Sequence, residues 1–342
     1  MKLSRDIGID LGTTSVLVYL EGRGILVNEP SCVALDRNNG KVLKVGSDAK
    51  KMLGRTPGNI VAVRPLEKGA ISDYDMTATM LSAFLRKLTR ASLVKPRVIV
   101  AVPSGITGVE ERAVIQATTE AGARRVYLIE EPLAAALGAG MNIKNAEGNM
   151  VVDIGGGTTD IAVLSLNNVV KSTSIDVAGD AFDEAIVQYV RERYQVLIGT
   201  STAEEIKMAI GCVHARPEAL VMTVKGRLLS SGLPQEVKIT STDISTALLT
   251  PCRDILYAIR STLEKTEPEL VADISKNGIM LTGGGSMIYG MDTVIYRATG
   301  IKCHVADEAL LCVARGCGKA LKWIDEMQEG TVNFARQKLM AD

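Results

Sequence analysis

Short apolar runs recur along the chain and alternate with stretches of helical spacing. Ile7 to Asp10, Val16 to Leu20, Arg97 to Val102, Val126 to Ile129, Met150 to Asp153 and Ile161 to Leu166 have the length and branched, apolar make-up of buried strands. Met76, Met80, Phe84 and Leu88 recur at helical intervals, as do Val109, Ala113, Ala117 and Ala121 after the break at Gly108, so two helices are expected to lay an apolar face on a sheet. Further on, Gly179 to Tyr194 reads as a helix, and Thr202 with Glu205 has the spacing of a capping box opening a helix towards Ile210. Ala219 to Val224 and Glu236 to Thr240 predict a small sheet. A helical region from about Thr242 to Glu264 is expected to break at Pro251, and Pro268 to Lys276 makes another helix closed by Gly278. Strands and helices in alternation predict an α/β organisation, and no stretch reads as a flexible linker.

One internal echo changes this picture. "IGIDLGTTSVLVYL" from Ile7 and "MVVDIGGGTTDIAVLSL" from Met150 share a plan: a strand ending in Asp, a Gly/Thr turn, and a second strand. Two copies of one device predict two copies of one domain.

The turns themselves carry candidate chemistry. Gly12, Thr13 and Thr14 allow backbone N–H groups and hydroxyls to converge on one point, because glycine lets the chain approach closely. Gly155, Gly156, Gly157, Thr158 and Thr159 can grip the same anion from the other side. Asp10 and Asp153 end the incoming strands, and their hard oxygens suit Mg²⁺ held mostly through its waters. Either turn alone would pass for an ordinary hairpin, whereas the matched pair points to a phosphate chain. A third cluster, "LTGGGSM" from Leu281 to Met287, follows an apolar strand and precedes a helical stretch. Its backbone can lie flat against a nucleoside. No cluster ends in the Lys-Ser/Thr pair of a Walker A loop, and none has the G-x-G-x-x-G spacing of a dinucleotide fold.

Composition narrows the classes. With 342 residues, 46% of them hydrophobic, the chain can fill sizeable cores unaided. Lys+Arg and Asp+Glu number 39 each, so no overall field draws the protein to nucleic acid, and no nucleic-acid partner is expected. The six cysteines lack the paired spacing of a zinc site or a disulfide framework and are expected to be reduced and mostly buried. No secretory h-region and no membrane-spanning run is present in the sequence, so a cytoplasmic protein is expected, with any membrane contact arising inside the fold.

Five motifs in order resemble those of the actin-like ATPases: "DLGTT" at Asp10, "VAVPSGITGVEERAV" at Val100, "DIGGGTTD" at Asp153, "LTGGGS" at Leu281 and "CVARGCGKAL" at Cys312. Within them the chain resembles the MreB/Mbl family of bacterial actins over nearly its whole length, through "NEPSCVAL", "GRTPGNIVAVRPL", "IEEPLAAALGAG" and "STLEKTEPELVADI". The resemblance implies an α/β, two-lobed actin-like fold with duplicated core domains and two smaller subdomains. Lobe I would comprise 1–138 and 321–342, with a subdomain at roughly 30–65. Lobe II would comprise 139–320, with a subdomain at roughly 178–240.

Roles follow from the same resemblance. ATP and Mg²⁺ would be held by Asp10, Gly12, Thr13, Thr14, Ser15, Asp153, Gly155, Gly156, Gly157, Thr158, Gly283, Gly284, Gly285 and Ser286. Glu204 and Lys207 would stand around the adenosine. Glu131 would position the attacking water with Thr158 beside it, although a carboxylate opening a helix before Pro132 also suits the helix dipole. Leu93 and Val94, flanked by Arg86, Lys87, Arg90, Lys95 and Arg97, match a membrane-inserting loop. Such a protein would polymerise with itself at the inner face of the cell membrane and work with cell-wall elongation proteins. The chain departs from the pattern at Ser15, where Asn is usual, and at Arg315 and Cys317. The alternative is a non-polymerising switch or a small-molecule kinase. A chaperone-type switch would need a client-binding domain and a kinase an acceptor pocket, and neither is evident in the sequence.

Overall fold

The computed structural model describes residues 6–89 and 94–330. Strands β1 (Ile7–Leu11), β2 (Ser15–Leu20) and β3 (Gly24–Pro30) form an antiparallel meander. A small antiparallel sheet follows, made of β4 (Val33–Asp36), β5 (Val42–Val45) and, beyond the short helix α1 (Ser47–Lys50), β6 (Ile60–Val63). The two-residue strands β7 (Leu66–Glu67) and β8 (Ala70–Ile71) return the chain to helix α2 (Tyr74–Thr89). Strand β9 (Arg97–Val102) then runs parallel to β1, and after helix α3 (Gly108–Glu120) strand β10 (Arg125–Glu130) runs parallel to β9. The sheet reads β10-β9-β1-β2-β3.

Helix α4 (Glu131–Ala139) leads into a second meander of β11 (Asn149–Ile154), β12 (Thr159–Ser165) and β13 (Asn168–Ile175). Next come α5 (Gly179–Tyr194), β14 (Val196–Leu197), α6 (Thr200–Ile210), β15 (Val221–Leu228), β16 (Pro234–Thr240) and α7 (Ser241–Ala247), with β14, β15 and β16 in one antiparallel sheet. Helices α8 (Leu249–Glu264) and α9 (Pro268–Asn277) precede β17 (Ile279–Thr282), which lies parallel to β11. Helix α10 (Met291–Thr299), strand β18 (Cys303–Val305) and helix α11 (Cys312–Ala320) complete the set. The second sheet reads β13-β12-β11-β17-β18. Its strand order and directions repeat those of the first sheet, and each meander shifts register between its second and third strands. The echo in the sequence is therefore a duplication in the fold.

Strands buried on both faces explain the unbroken apolar runs. In β9, Val98, Val100 and Val102 face a core shared with Met80, Leu81 and Phe84 of α2, while Ile99 and Ala101 face the opposite side. The second sheet has its own outer core around Phe182, Ile186 and Ile206. Between the sheets lies a third core, where Ile99 and Tyr127 of the first sheet and Val151, Ala162 and Leu164 of the second meet α4 and α11. These helices touch backbone to backbone. A Cβ on Gly316 would stand 1.7 Å from the Ala134 carbonyl oxygen, and one on Gly138 would stand 1.8 Å from that of Cys312.

Three local expectations are corrected. Thr202 and Glu205 lie inside α6, which begins after Gly199 with no side-chain cap. The break in the long helical region falls at Leu248, and Pro251 sits in the first turn of α8, where a missing N–H leaves no intrahelical bond unmade. In α3 the capping box is Thr107 with Glu110. Val109 is 69% exposed, and the buried face is Val114, Ala117 and Thr118.

Candidate functional site

The ends of β1 and β11 meet at a cleft of about 720 Å³ between the two sheets. The first hairpin tip is closed by the Gly12 N–H donating to Ser15 O at 3.1 Å and braced by the Ser31 hydroxyl donating to Gly12 O at 2.6 Å. The second is closed by Gly155 N–H to Thr158 O at 2.9 Å and tied to α5 by Gly179 N–H to Gly155 O at 3.1 Å. The tips face each other closely: a Cβ on Gly156 would stand 2.0 Å from Thr14 Oγ1, and one on Gly157 would stand 2.5 Å from Thr13 Oγ1. Gly12 to Ser15 and Gly155 to Thr158 all line the cleft.

Four acids gather beneath the tips. Asp10, half-buried at the end of β1, is pushed up to about 8 by burial and then by the Asp153 charge. Asp153, at the end of β11, is pushed up to about 7 by burial, with the Thr282 hydroxyl pulling it back. Burial raises Asp160 to about 6 although the Ser104 N–H donates to it at 3.0 Å. Glu131 opens α4 and is held well above the usual carboxylate range by burial, then by Asp160, Asp10 and Asp153. Mutual repulsion and poor solvation together call for a cation. Asp153 Oδ1 and Thr14 Oγ1 are also buried without a hydrogen-bond partner among the described residues. Among those residues no set of three or more His, Cys, Asp or Glu could cage a metal. One or two carboxylates with waters and phosphate oxygens is the habit of Mg²⁺ rather than of Zn²⁺ or Ca²⁺, so the donors fit Mg²⁺.

Away from the hairpins the cleft is lined by the third glycine cluster. Gly283 adopts φ +80, and a Cβ there would collide with the Ile154 carbonyl, so glycine is required. Gly284 and Gly285 open a 3-10 turn, Gly284–Met287, rather than an α-helix. Ser286 is buried, does not line the cleft, and donates to Gly283 O at 2.7 Å, fixing the turn. Glu204 and Lys207 do line it from α6. Lys207 lies 2.9 Å from Asp183 Oδ2 and donates to Gly179 O at 2.8 Å.

Several cleft residues escaped the sequence reading. Lys50 of α1 reaches across to Glu204 at 2.7 Å, while in a neighbouring hollow Arg64 pairs with Asp180 at 2.9 Å and Lys68 with Asp176 at 3.5 Å. Asp160 closes the second motif, is fully buried rather than lining the cleft, and acts on Glu131 through its charge. Met208, Arg216, Met287 and Tyr289 line the same cavity without any motif to mark them. For Met208 a signal existed, since it follows Glu204 and Lys207 on one helical face.

Of the expected membrane loop, Arg90 and Leu93 lie outside the described residues, and Val94 is half-buried. Arg97 is withdrawn from the cationic flank: it pairs with Asp6 at 2.6 Å and with Asp325. All six cysteines are free, and five are buried. Among the described residues no helix is long and apolar enough to cross a membrane.

The family model described as "MreB/Mbl protein" matches residues 4–329. The cell shape-determining protein MreB of Escherichia coli K12 is 49% identical over 328 residues, covering 94% of each chain. The cell shape-determining protein Mbl of Bacillus cereus is 46% identical over 325 residues, 95% of this chain and 98% of that one. Among solved structures, MreB5 of Spiroplasma citri bound to AMPPNP matches with a TM-score of 0.91 at 37% identity, covering 95% of this chain and 98% of that chain. The MamK double helical filament matches at 0.80 and 21% identity over 93% and 98%, a likeness of fold. The two-lobed actin-like architecture expected from the five motifs is the one present.

Proposed function

The chain belongs to the MreB/Mbl family, and from that premise we propose that it binds ATP with Mg²⁺ in the cleft, hydrolyses it, and assembles into filaments at the inner face of the cell membrane. There it would maintain cell shape and organise wall synthesis with cell-wall elongation proteins. The observation that carries the chemical part is the meeting of two hairpin tips over Asp10 and Asp153. The related MreB5 of Spiroplasma citri, bound to ADP and to AMPPNP, supports the choice of ligand.

In this reading the N–H groups of Gly12 to Thr14 and Gly155 to Thr158 donate to phosphate oxygens from both sides, and the Thr13 and Thr14 hydroxyls add donors. Ser15 donates where Asn is usual. Asp10 and Asp153 hold Mg²⁺, largely through its waters, and that ion when bound spreads the charge of the transferred phosphoryl group. Glu131 and Thr158 orient the attacking water. Its raised pKa makes Glu131 a better proton acceptor than a solvated carboxylate. Glu204 and Lys207 flank the adenosine, and the flat backbone of Gly283 to Gly285, fixed by Ser286, supports it. The two sheets are taken as the cores of two lobes, so closing the cleft brings both grips together. Leu93 and Val94 are assigned to the membrane contact.

The test pairs calorimetry with pelleting. Wild type should bind Mg·ATP and pellet with it, whereas Asp153→Ala should lose Mg²⁺-dependent binding. Full ATP affinity in that variant would overturn the paired-hairpin reading, and binding without any pelleting would favour a non-polymerising ATPase.

A further inference from the structure

Among the described residues three cations line the cleft, Lys50, Lys207 and Arg216. Two are already spent on carboxylates: Lys50 lies 2.7 and 2.9 Å from the two oxygens of Glu204, and Lys207 lies 2.9 Å from Asp183. Arg216 has no carboxylate partner among the described residues. Its guanidinium lies over the Tyr289 ring, 4.0 Å from the centroid. One terminal nitrogen donates to Gly211 O at 3.2 Å, and Nε is buried without a partner.

The fold fixes this pair deliberately. Cys212 bridges to Tyr289 in parallel fashion, and the Val213 N–H donates to Tyr289 O at 3.0 Å. The loop leaving α6 is thus joined to the turn that follows β17. Its position along the cleft is also set. Lys207 is bonded to Gly179 O, and Gly179 N–H to Gly155 O, so that turn of α6 stands at the second hairpin. Gly211 comes four residues later, about 6 Å along a helix rising 1.5 Å per residue. Arg216 lies past it, beyond a phosphate held by the hairpins and where the sugar and base extend.

We infer that Arg216, held against Tyr289, is the surface on which the purine base of the bound nucleotide stacks, so that it sets affinity for the base rather than for the phosphates. The inference rests on the reading of the cleft as a nucleotide site. A guanidinium is planar, weakly hydrated and able to stack on π systems, so with one face on Tyr289 it offers the other to a ring. Met208 and Met287, 75% and 65% exposed, line the same cavity with flexible, polarisable side chains that can close over a flat ligand.

The experiment uses the full chain and three probes with Mg²⁺: ATP, CTP and inorganic tripolyphosphate, each titrated by calorimetry. Arg216→Met keeps the aliphatic stem and hence the packing of the loop. It should weaken ATP about tenfold, CTP less because its ring is smaller, and tripolyphosphate not at all. Arg216→Lys should not restore ATP affinity, because an ammonium has no plane. Tyr289→Leu should lose part of the ATP affinity with tripolyphosphate unchanged. Equal loss for ATP and tripolyphosphate in Arg216→Met would show that the residue acts through charge alone, and no loss for any probe would show that it touches no base. Either result overturns the inference while leaving the nucleotide reading intact. A wild type that binds tripolyphosphate but not ATP would overturn both.

Discussion

Asp10, Glu131 and Asp153 line one cleft floor with Asp160 fully buried near them, and each of the four gives up its proton less readily than a free carboxyl. A carboxyl whose folded pKa lies above its unfolded one favours folding while protonated, and that contribution is lost as pH rises through the folded value. For Asp10 the window runs from 3.8 to about 8, and for Asp153 from 3.8 to about 7. The ligand-free protein should therefore melt at a lower temperature near pH 8 than near pH 5, and Asp10→Asn should flatten that slope. Mg·ATP should protect most at the alkaline end, where the carboxylates are charged. Identical slopes in wild type and Asp10→Asn would sink this account. In the proposed mechanism Glu131 would separate binding from chemistry. Glu131→Gln should leave ATP affinity within a few fold while turnover falls by about 10² or more. Normal single-turnover hydrolysis would reduce Glu131 to a favourable charge at a helix start.

At the scale of elements, Gly316 and Gly138 let α4 and α11 approach until only a glycine fits. Gly316→Ala should cost about 3 kcal/mol, the upper end of overpacking, read as a lower urea midpoint at unchanged slope. An unshifted midpoint would mean that the helices slide apart freely. Elements also show what the sequence could say. Both hairpins were legible because strand, Gly/Thr turn and strand are contiguous, and their repetition gave the duplication. The capping box assigned to Thr202 and Glu205 failed because the spacing fits while Gly199 already occupies the cap. Pro251 misled because proline breaks a helix interior but opens a first turn without cost. The contacts across the cleft were invisible for a plainer reason. Lys50 and Glu204 are 154 residues apart and Arg64 and Asp180 are 116 apart, and no local pattern records a partner at that distance.

At the scale of the molecule, weak contacts gain weight through repetition. Burying Leu93 and Val94 in lipid would contribute at most about 3–6 kcal/mol, less the ordering of the loop, so one subunit would exchange readily. Many loops along one side of a filament would bind firmly. Leu93→Ser with Val94→Ser should release the protein from anionic liposomes while ATP hydrolysis stays normal, and undiminished co-sedimentation would remove the loop from the membrane. With Arg97 committed to Asp6 and Asp325, Arg97→Ala should disturb folding more than lipid binding. The close seating of α4 against α11 has one more consequence. Helix α4 begins with Glu131 in the cleft floor, carries Gly138 against Cys312 near its other end, and packs with α11 between both sheets. In the proposed function, the group that would time hydrolysis and the axle on which the halves would turn are thus one rigid rod, about 13 Å long at 1.5 Å per residue. On that reading, a change that loosens the axle should also reset the clock, so that neither could be tuned alone.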